Sequence, residues 1–284
     1  MASKVNIKFI VLLCAGLIGL VGLVGAALAV FGKNSAADLV AKGDSELANG
    51  SPRMAAEFYS KAVNKEQTNV GFINKWRGAL AEYAPEDITR FSESYRNYVL
   101  ATRQVATVQT TNVEAQREYL EILRAQLEAE DGNRASLDNV IRETETFLVF
   151  YQNEPKDGKW NTLRRFRGLA IVQILAGTPD LKAAIADQGR DDLIAALAAD
   201  PTDVDSAVGL EAWYEIQRSR MDAVTQAADI VEYSAKAQAA INAAGAATPG
   251  HPMVVLAEMR REYSAAEARV RGGRAADQAT VAAA

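Results

Sequence analysis

Apolar residues follow two patterns along this chain. From Phe9 to Gly32 they run without interruption by any charged or strongly polar side chain. Beyond residue 33 they recur three or four positions apart with polar residues between them, which is the spacing of one helix face. The first pattern predicts a membrane span, because a helix of that length is about 36 Å long and a hydrocarbon core is roughly 30 Å thick. The second predicts a succession of amphipathic helices. Abundant alanine, sparse Gly and Pro and short β-branched runs point the same way, so the expected fold class is all-α.

The flanks of the apolar run suggest its orientation. Lys4 and Lys8 precede it with no acidic residue among them, which favours a cytoplasmic tail at residues 1–8 and a signal anchor at 9–32. The bulk of the chain is then periplasmic, tied by a single pass to an inner, cytoplasmic membrane. A cleaved signal peptide is the rival reading, with Ala27-Leu28-Ala29 as its small-x-small site, although the run exceeds the usual h-region of about 7–15 residues. Both readings put the remainder outside the cytoplasm. Cys14, the single cysteine, follows Val11-Leu12-Leu13 and so lacks the small residue that lipid attachment needs. The exported part has neither disulfide nor thiolate chemistry. Ala15 with Gly19, and Gly22 with Ala26, have the small-xxx-small spacing that lets two membrane helices approach.

After the run, residues 36–50 read as one helix, with Leu39, Gly43 and Leu47 on one face and Gly50 at its end. Ser51 then caps a second helix with Pro52 at its first position and Ala55, Phe58, Tyr59 and Ala62 on its inner face. Together they predict a short-looped antiparallel hairpin. This hairpin resembles a tetratricopeptide repeat. With Ala36 as position one, the small residue near position 8 is Gly43, the alanines at 20 and 27 are Ala55 and Ala62, and the aromatic at 24 is Tyr59. Lys42 stands where leucine is usual and Gln67 where proline is usual. The unit spans residues 36–69. The resemblance implies an α-solenoid of stacked helix hairpins following the transmembrane helix.

The next helix is expected from Phe72 to Tyr83, with Ile73, Trp76 and Leu80 as its stripe. A long helical stretch from Pro85 to Ala129 is split at Thr110-Thr111-Asn112, where Thr111 and Glu114 spell a capping box. Leu137 to Tyr151 and Trp160 to Leu175 are further helices, separated by the loop signal at residues 153–158. Thr202 and Asp205 spell another capping box before a helix carrying Ala207, Leu210 and Tyr214. The expected organisation is one helical-repeat region at 33–150, a second at 159–271 and a disordered tail at 272–284.

Composition narrows the chemistry. The net charge is −5 and there is one histidine, His251. Bulk attraction to nucleic acid is not expected, nor catalysis by paired histidines. No P-loop, G-x-G-x-x-G or G-x-S-x-G is present, and no nucleophile, base and orienting group come together. The chain reads as a non-enzyme without cofactor or metal. Asp200, Asp203 and Asp205 could be imagined as metal ligands, but carboxylates at a helix start more often cap it. Trp76, Trp160 and Trp213 fall at core spacing.

The basic cluster Lys156, Lys159, Arg164, Arg165 and Arg167, interleaved with Trp160 and Phe166, is the candidate partner-binding face. Its alternative is a solvated helix face with the two aromatics in the core. Stacked hairpins make extended surfaces that bind peptides or partner helices. The resemblance, extended to single-pass bacterial envelope proteins with such repeats, implies a membrane-anchored scaffold for other proteins, accessory to an envelope or translocation complex. The alternative is a structural component that self-assembles into a homo-oligomer.

Overall fold

The computed structural model describes residues 34–263 except 84, 86, 130, 131 and 156, together with residues 266 and 270. Every regular element among them is helical. None of the described helices is long and apolar enough to cross a membrane. The expected span at 9–32, with Ala15, Gly19, Gly22 and Ala26, and the expected tail at 272–284 lie outside the described residues. The chain divides into two compact units, one up to Val108 and one from Gln109 onward.

The first unit contains α1 (Ala36–Ala48), α2 (Pro52–Lys65), α3 (Val70–Glu82) and α4 (Ile88–Val108), each packed on the next. A reciprocal capping box starts α1: the Asp38 amide donates to Ser35 Oγ at 3.1 Å and the Ser35 amide to Asp38 Oδ2 at 2.9 Å. The hairpin turns at Gly50, whose φ of +75° is costly for any side chain with a Cβ. Ser51 precedes α2 but makes no side-chain cap. Its backbone, at φ −110° and ψ 66°, lies outside the usual cap conformation, and Pro52 removes one orphan donor by itself. Helix α3 starts two residues earlier than the apolar stripe suggests because Asn69 Oδ1 accepts from the Phe72 amide at 3.3 Å.

Gly43 sets the packing of this hairpin. A Cβ there would fall 2.5 to 2.9 Å from the Tyr59 ring carbons, so the ring occupies the space that glycine leaves. Tyr59 is 1% exposed, and Ala55 and Ala62 beside it are fully buried. The Tyr59 hydroxyl donates to Asp44 Oδ1 at 2.6 Å, and Lys75 Nζ reaches the same oxygen at 2.5 Å. One carboxylate therefore links α1, α2 and α3.

Those hydrogen bonds, from Lys75 first and Tyr59 second, hold the Asp44 carboxyl below its usual value. A depressed acid pKa stabilises the fold above the unfolded value near 4, and the contribution is lost as pH falls through the folded value. The stability advantage of the wild type over Asp44→Asn should be complete at about pH 6 and shrink below about pH 4. Urea melts at several pH values would show this; an advantage that persists unchanged in acid would refute it.

The second unit contains α5 (Val113–Ala129), α6 (Arg134–Phe150), a 3₁₀ turn (Lys159–Leu163), α7 (Arg164–Gly177), α8 (Ala183–Ala199), α9 (Val204–Ser219), α10 (Ala227–Ala247) and α11 (252–263). Two expected capping boxes are replaced by stronger caps one residue later. Asn112, not Thr111, accepts from the Ala115 amide at 3.1 Å. Asp203, not Thr202, accepts from the Ser206 amide, and Thr202 donates its hydroxyl to Asp200 at 2.6 Å instead. Asn and Asp outrank Thr at this position because their side chains reach the orphan amides with less conformational cost.

The expected helix from Trp160 begins as a 3₁₀ turn. The Trp160 indole N–H donates to the Pro155 carbonyl at 3.0 Å, and the ring stacks on Tyr151 at 5.7 Å and 3°. These contacts tie the loop at 153–158 into one unit, and α6 packs on α7 across it. The two compact units divide after Val108. Helices α7 and α8 cross at paired glycines. A Cβ on Gly168 would meet Leu193 at 2.8 Å and the Gly189 carbonyl at 3.0 Å, and one on Gly189 would meet Ile171 at 2.6 Å. Trp213 fills the core behind this crossing at 1% exposure. Helix α11 is held by Arg261, which pairs with Glu215 of α9 at 3.0 Å and donates to the Ser234 carbonyl of α10 at 3.0 Å.

Candidate partner-binding grooves

In the first unit, helices α2 and α4 flank a groove of about 430 Å³ whose floor is α3. Trp76, Leu80 and Tyr83 form that floor. Asn64 lines the α2 wall and Ser94 and Asn97 the α4 wall. Arg53, Glu57, Arg90 and Glu93 also line it, so the formal charges cancel. Asparagine and serine in helix interiors are mediocre helix formers. Elsewhere in the chain asparagine works: Asn69, Asn112 and Asn133 each cap a helix.

The groove groups have no such employment. Among the described residues the side chains of Asn64, Ser94 and Asn97 make no hydrogen bond, although Ser94 is only 7% exposed. The indole N–H of Trp76 is likewise without an acceptor there, whereas Trp160 donates to Pro155 and Trp213 to the Ala186 carbonyl at 2.8 Å. The groove therefore sets solvent-accessible polar groups beside an apolar floor, the mixed lining common in binding sites.

The basic cluster is placed differently from what its exposure in sequence suggests. Lys156 lies outside the described residues. Lys159 is exposed at the start of the 3₁₀ turn. The three arginines are drawn into the second unit. Arg167 makes a bidentate pair with Asp192 at 2.6 and 2.9 Å and approaches Glu145 at 3.5 Å. Arg164 reaches Asp192 at 3.6 Å and lies over the Trp160 ring. Arg165 bridges Glu121 of α5 and Asp203 of α9. Asp192 is 1% exposed. Burial pushes its carboxyl above the usual value, and the two guanidiniums offset that only in part. Charge-assisted bidentate geometry of this kind needs both ions. The cluster thus fastens α7 to α5, α6, α8 and α9. The partner acids lie far away in sequence, and no local signal marks them.

Beside these pairs, α5, α7 and α9 enclose a smaller apolar cleft of about 190 Å³, lined by Leu127, Phe166, Leu169 and Val208. Arg124, paired with Asp205 and Glu128, lies at its edge. Gly209 allows the close approach of α9, since a Cβ there would meet Leu169 at 2.5 Å.

The remaining candidates have structural work. Asp203 caps α9 and pairs with Arg165, Asp205 pairs with Arg124, and Asp200 holds Thr202. The three carboxylates are not gathered, and among the described residues no cluster of acids, cysteines and histidine has the form of a metal site. Glu143 is buried and Glu145 half-exposed on α6, on different faces. The His251 Nδ1 accepts from the Met253 amide at 3.3 Å at the start of α11.

Comparison with known proteins finds no matching family model and no matching curated sequence. Among solved structures, the crystal structure of YrrB, described as a TPR protein with an unusual peptide-binding site, is similar over 83% of this chain and 97% of that one, at 13% identity and a TM-score of 0.47. That likeness is distant, and the assignment of this chain as an all-α array of helix hairpins stands on its own helices, caps and crossings.

Proposed function

We propose that this chain is a helical-repeat scaffold that binds other proteins, held by residues 9–32 at the extracytoplasmic face of a bacterial membrane, in attendance on an envelope or translocation complex. The observation that carries the binding role is the α2–α4 groove, where Asn64, Ser94 and Asn97 line the walls beside an apolar floor of Trp76, Leu80 and Tyr83. The stacked hairpins around it are of the kind that present extended binding surfaces. The tether rests on the apolar run and on Lys4 and Lys8.

The binding role is tested by crosslinking the full chain in native membranes, purifying it in detergent and identifying what is attached. A discrete partner protein is expected; nothing above background would refute the role. The tether is tested separately with alkaline phosphatase fused after residue 270. An active, membrane-bound fusion is expected, and a soluble or inactive one would refute it. The self-assembly reading draws on α11, where Met253, Leu256, Met259 and Tyr263 are all exposed. A monomeric mass by light scattering in detergent would end it.

A further inference from the structure

Helix α11 is apolar on two opposite sides. We propose that its outer side pairs with α11 of a second copy of this chain, antiparallel, about a two-fold axis between Tyr263 and Ala266. This rests on the self-assembly reading and names the helix, the partner and the register; it is independent of the α2–α4 groove.

Three observations carry it. The first is the burial of α11. Val254 and Ala257 pack with Ile241 and Ala244 of α10 and with Val204 and Ala207 of α9, and both are 2% exposed. At about 3.6 residues per turn, Leu256, Met259 and Tyr263 fall on the opposite side. Met259 is 61% and Tyr263 72% exposed. Arg261, on the inner side, is drawn to Glu215 and the Ser234 carbonyl. A helix with apolar residues on opposite sides is suited to be covered on both. Among the described residues nothing covers the outer one.

The second is spacing. Leu256, Met259, Tyr263, Ala266 and Val270 follow one another at alternating steps of three and four, and Ala266 and Val270 are also helical and exposed. That alternation is the a/d seam of a coiled coil, narrower than the stripe of a helix lying on a globular core. Laying two such seams head to tail sets Tyr263 against Ala266 and Met259 against Val270. Each layer then joins a large residue to a small one, or two of middle size.

The third is charge. In the heptad defined by the seam, the flanking positions are Arg260 and Glu267 on one side and Glu262 and Arg269 on the other. Flanking charges set partner and direction in such pairs. Reversing one helix brings like flanks together. Arg260 then meets the partner's Glu267 and Glu262 meets the partner's Arg269, each twice by symmetry. Parallel pairing would set Glu262 against the partner's Glu267 and Arg269 against the partner's Arg274, both repulsive. A different protein would need its own matching pattern, whereas a second copy already carries it.

The test uses the full chain with Cys14→Ser, so that introduced cysteines are the only ones. Met259→Cys and Val270→Cys are made in separate copies and co-expressed, and native membranes are treated with a short bismaleimide. The mixed copies should give an adduct joining positions 259 and 270, identified by mass spectrometry. Either variant alone should give none, because equal positions lie about 16 Å apart along an antiparallel pair. Tyr263→Glu puts a charge in the seam and should abolish the mixed adduct; the site's exposure lets the fold survive the change. Arg260→Glu turns two attractive pairs repulsive and should weaken dimerisation about tenfold by analytical ultracentrifugation in detergent. Arg260→Glu together with Glu267→Arg should restore it.

Adducts from either variant alone would mean a parallel pair and overturn the proposal. A dimer that lacks the mixed adduct and is indifferent to Tyr263→Glu would overturn it and leave the self-assembly reading standing. A chain that stays single in membranes, with the outer side of α11 covered from within or by another protein, would remove both.

Discussion

Replacing Asp192 with alanine should cost the second unit about 3–5 kcal/mol, the usual penalty for leaving a buried charge without its partner. Two guanidiniums converge on this carboxylate. Arg167 is bound at both oxygens, with its side chain only 12% exposed, and Arg164 is held beside it. Neither has another carboxylate of equal quality, since the Arg167 contact with Glu145 is 3.5 Å long and half-exposed. The loss should appear in urea melts of the full chain in detergent as a transition reported by Trp160 and Trp213 that moves to lower urea. The first unit's transition should stay in place. Replacing the trio together, Asp192→Leu with Arg164→Met and Arg167→Met, should recover most of the loss, because uncharged packing removes the desolvation cost along with the pairing. An Asp192→Ala midpoint within error of wild type would mean that the cluster is an exposed face after all.

Trp213→Ala should be of similar size, about 3–5 kcal/mol, for a different reason. The indole is 1% exposed, meets Tyr214 edge-on at 5.2 Å and lies under the Arg190 guanidinium at 5.1 Å. Its removal opens a cavity between α8, α9 and α10 and takes the donor away from the Ala186 carbonyl. Trp213→Phe keeps most of the packing and loses the donor, so its cost should be about 1–3 kcal/mol. Circular dichroism melts separate the two. Equal effects for Phe and Ala would show that the hydrogen bond, not the cavity, dominates.

The parts of this fold legible in sequence are those written locally. The α1–α2 hairpin follows from helix periodicity, the Gly50 turn and the Pro52 start, and the fit of Gly43 to Tyr59 follows from their spacing. Break points were legible too, but their chemistry was displaced by one residue at Asn112 and Asp203, where a better cap stood beside a threonine. What depends on distant partners was hidden. Arg165 and Arg167 look like surface charge until Glu121, Asp203 and Asp192 are brought to them from other helices. Gly168 and Gly189 show their purpose only when α7 crosses α8. Their one local signal was a small residue on an otherwise apolar face. The α2–α4 groove was least legible of all. It needs the register of three helices, which brings its apolar floor and polar walls together only in the packed state.

That groove is where the proposed role is most open to direct attack. A photo-activatable amino acid is placed at Asn64 or Asn97, and at Ala48 and Asp138 as exposed positions outside the groove, in the full chain in native membranes. After irradiation, adducts are resolved by mass and identified by peptide sequencing. The groove positions should each give one discrete protein adduct, and the outside positions should not. No adduct from the groove, or the same adducts from all four positions, would contradict the assignment of this chain as a scaffold that binds its partner between α2 and α4.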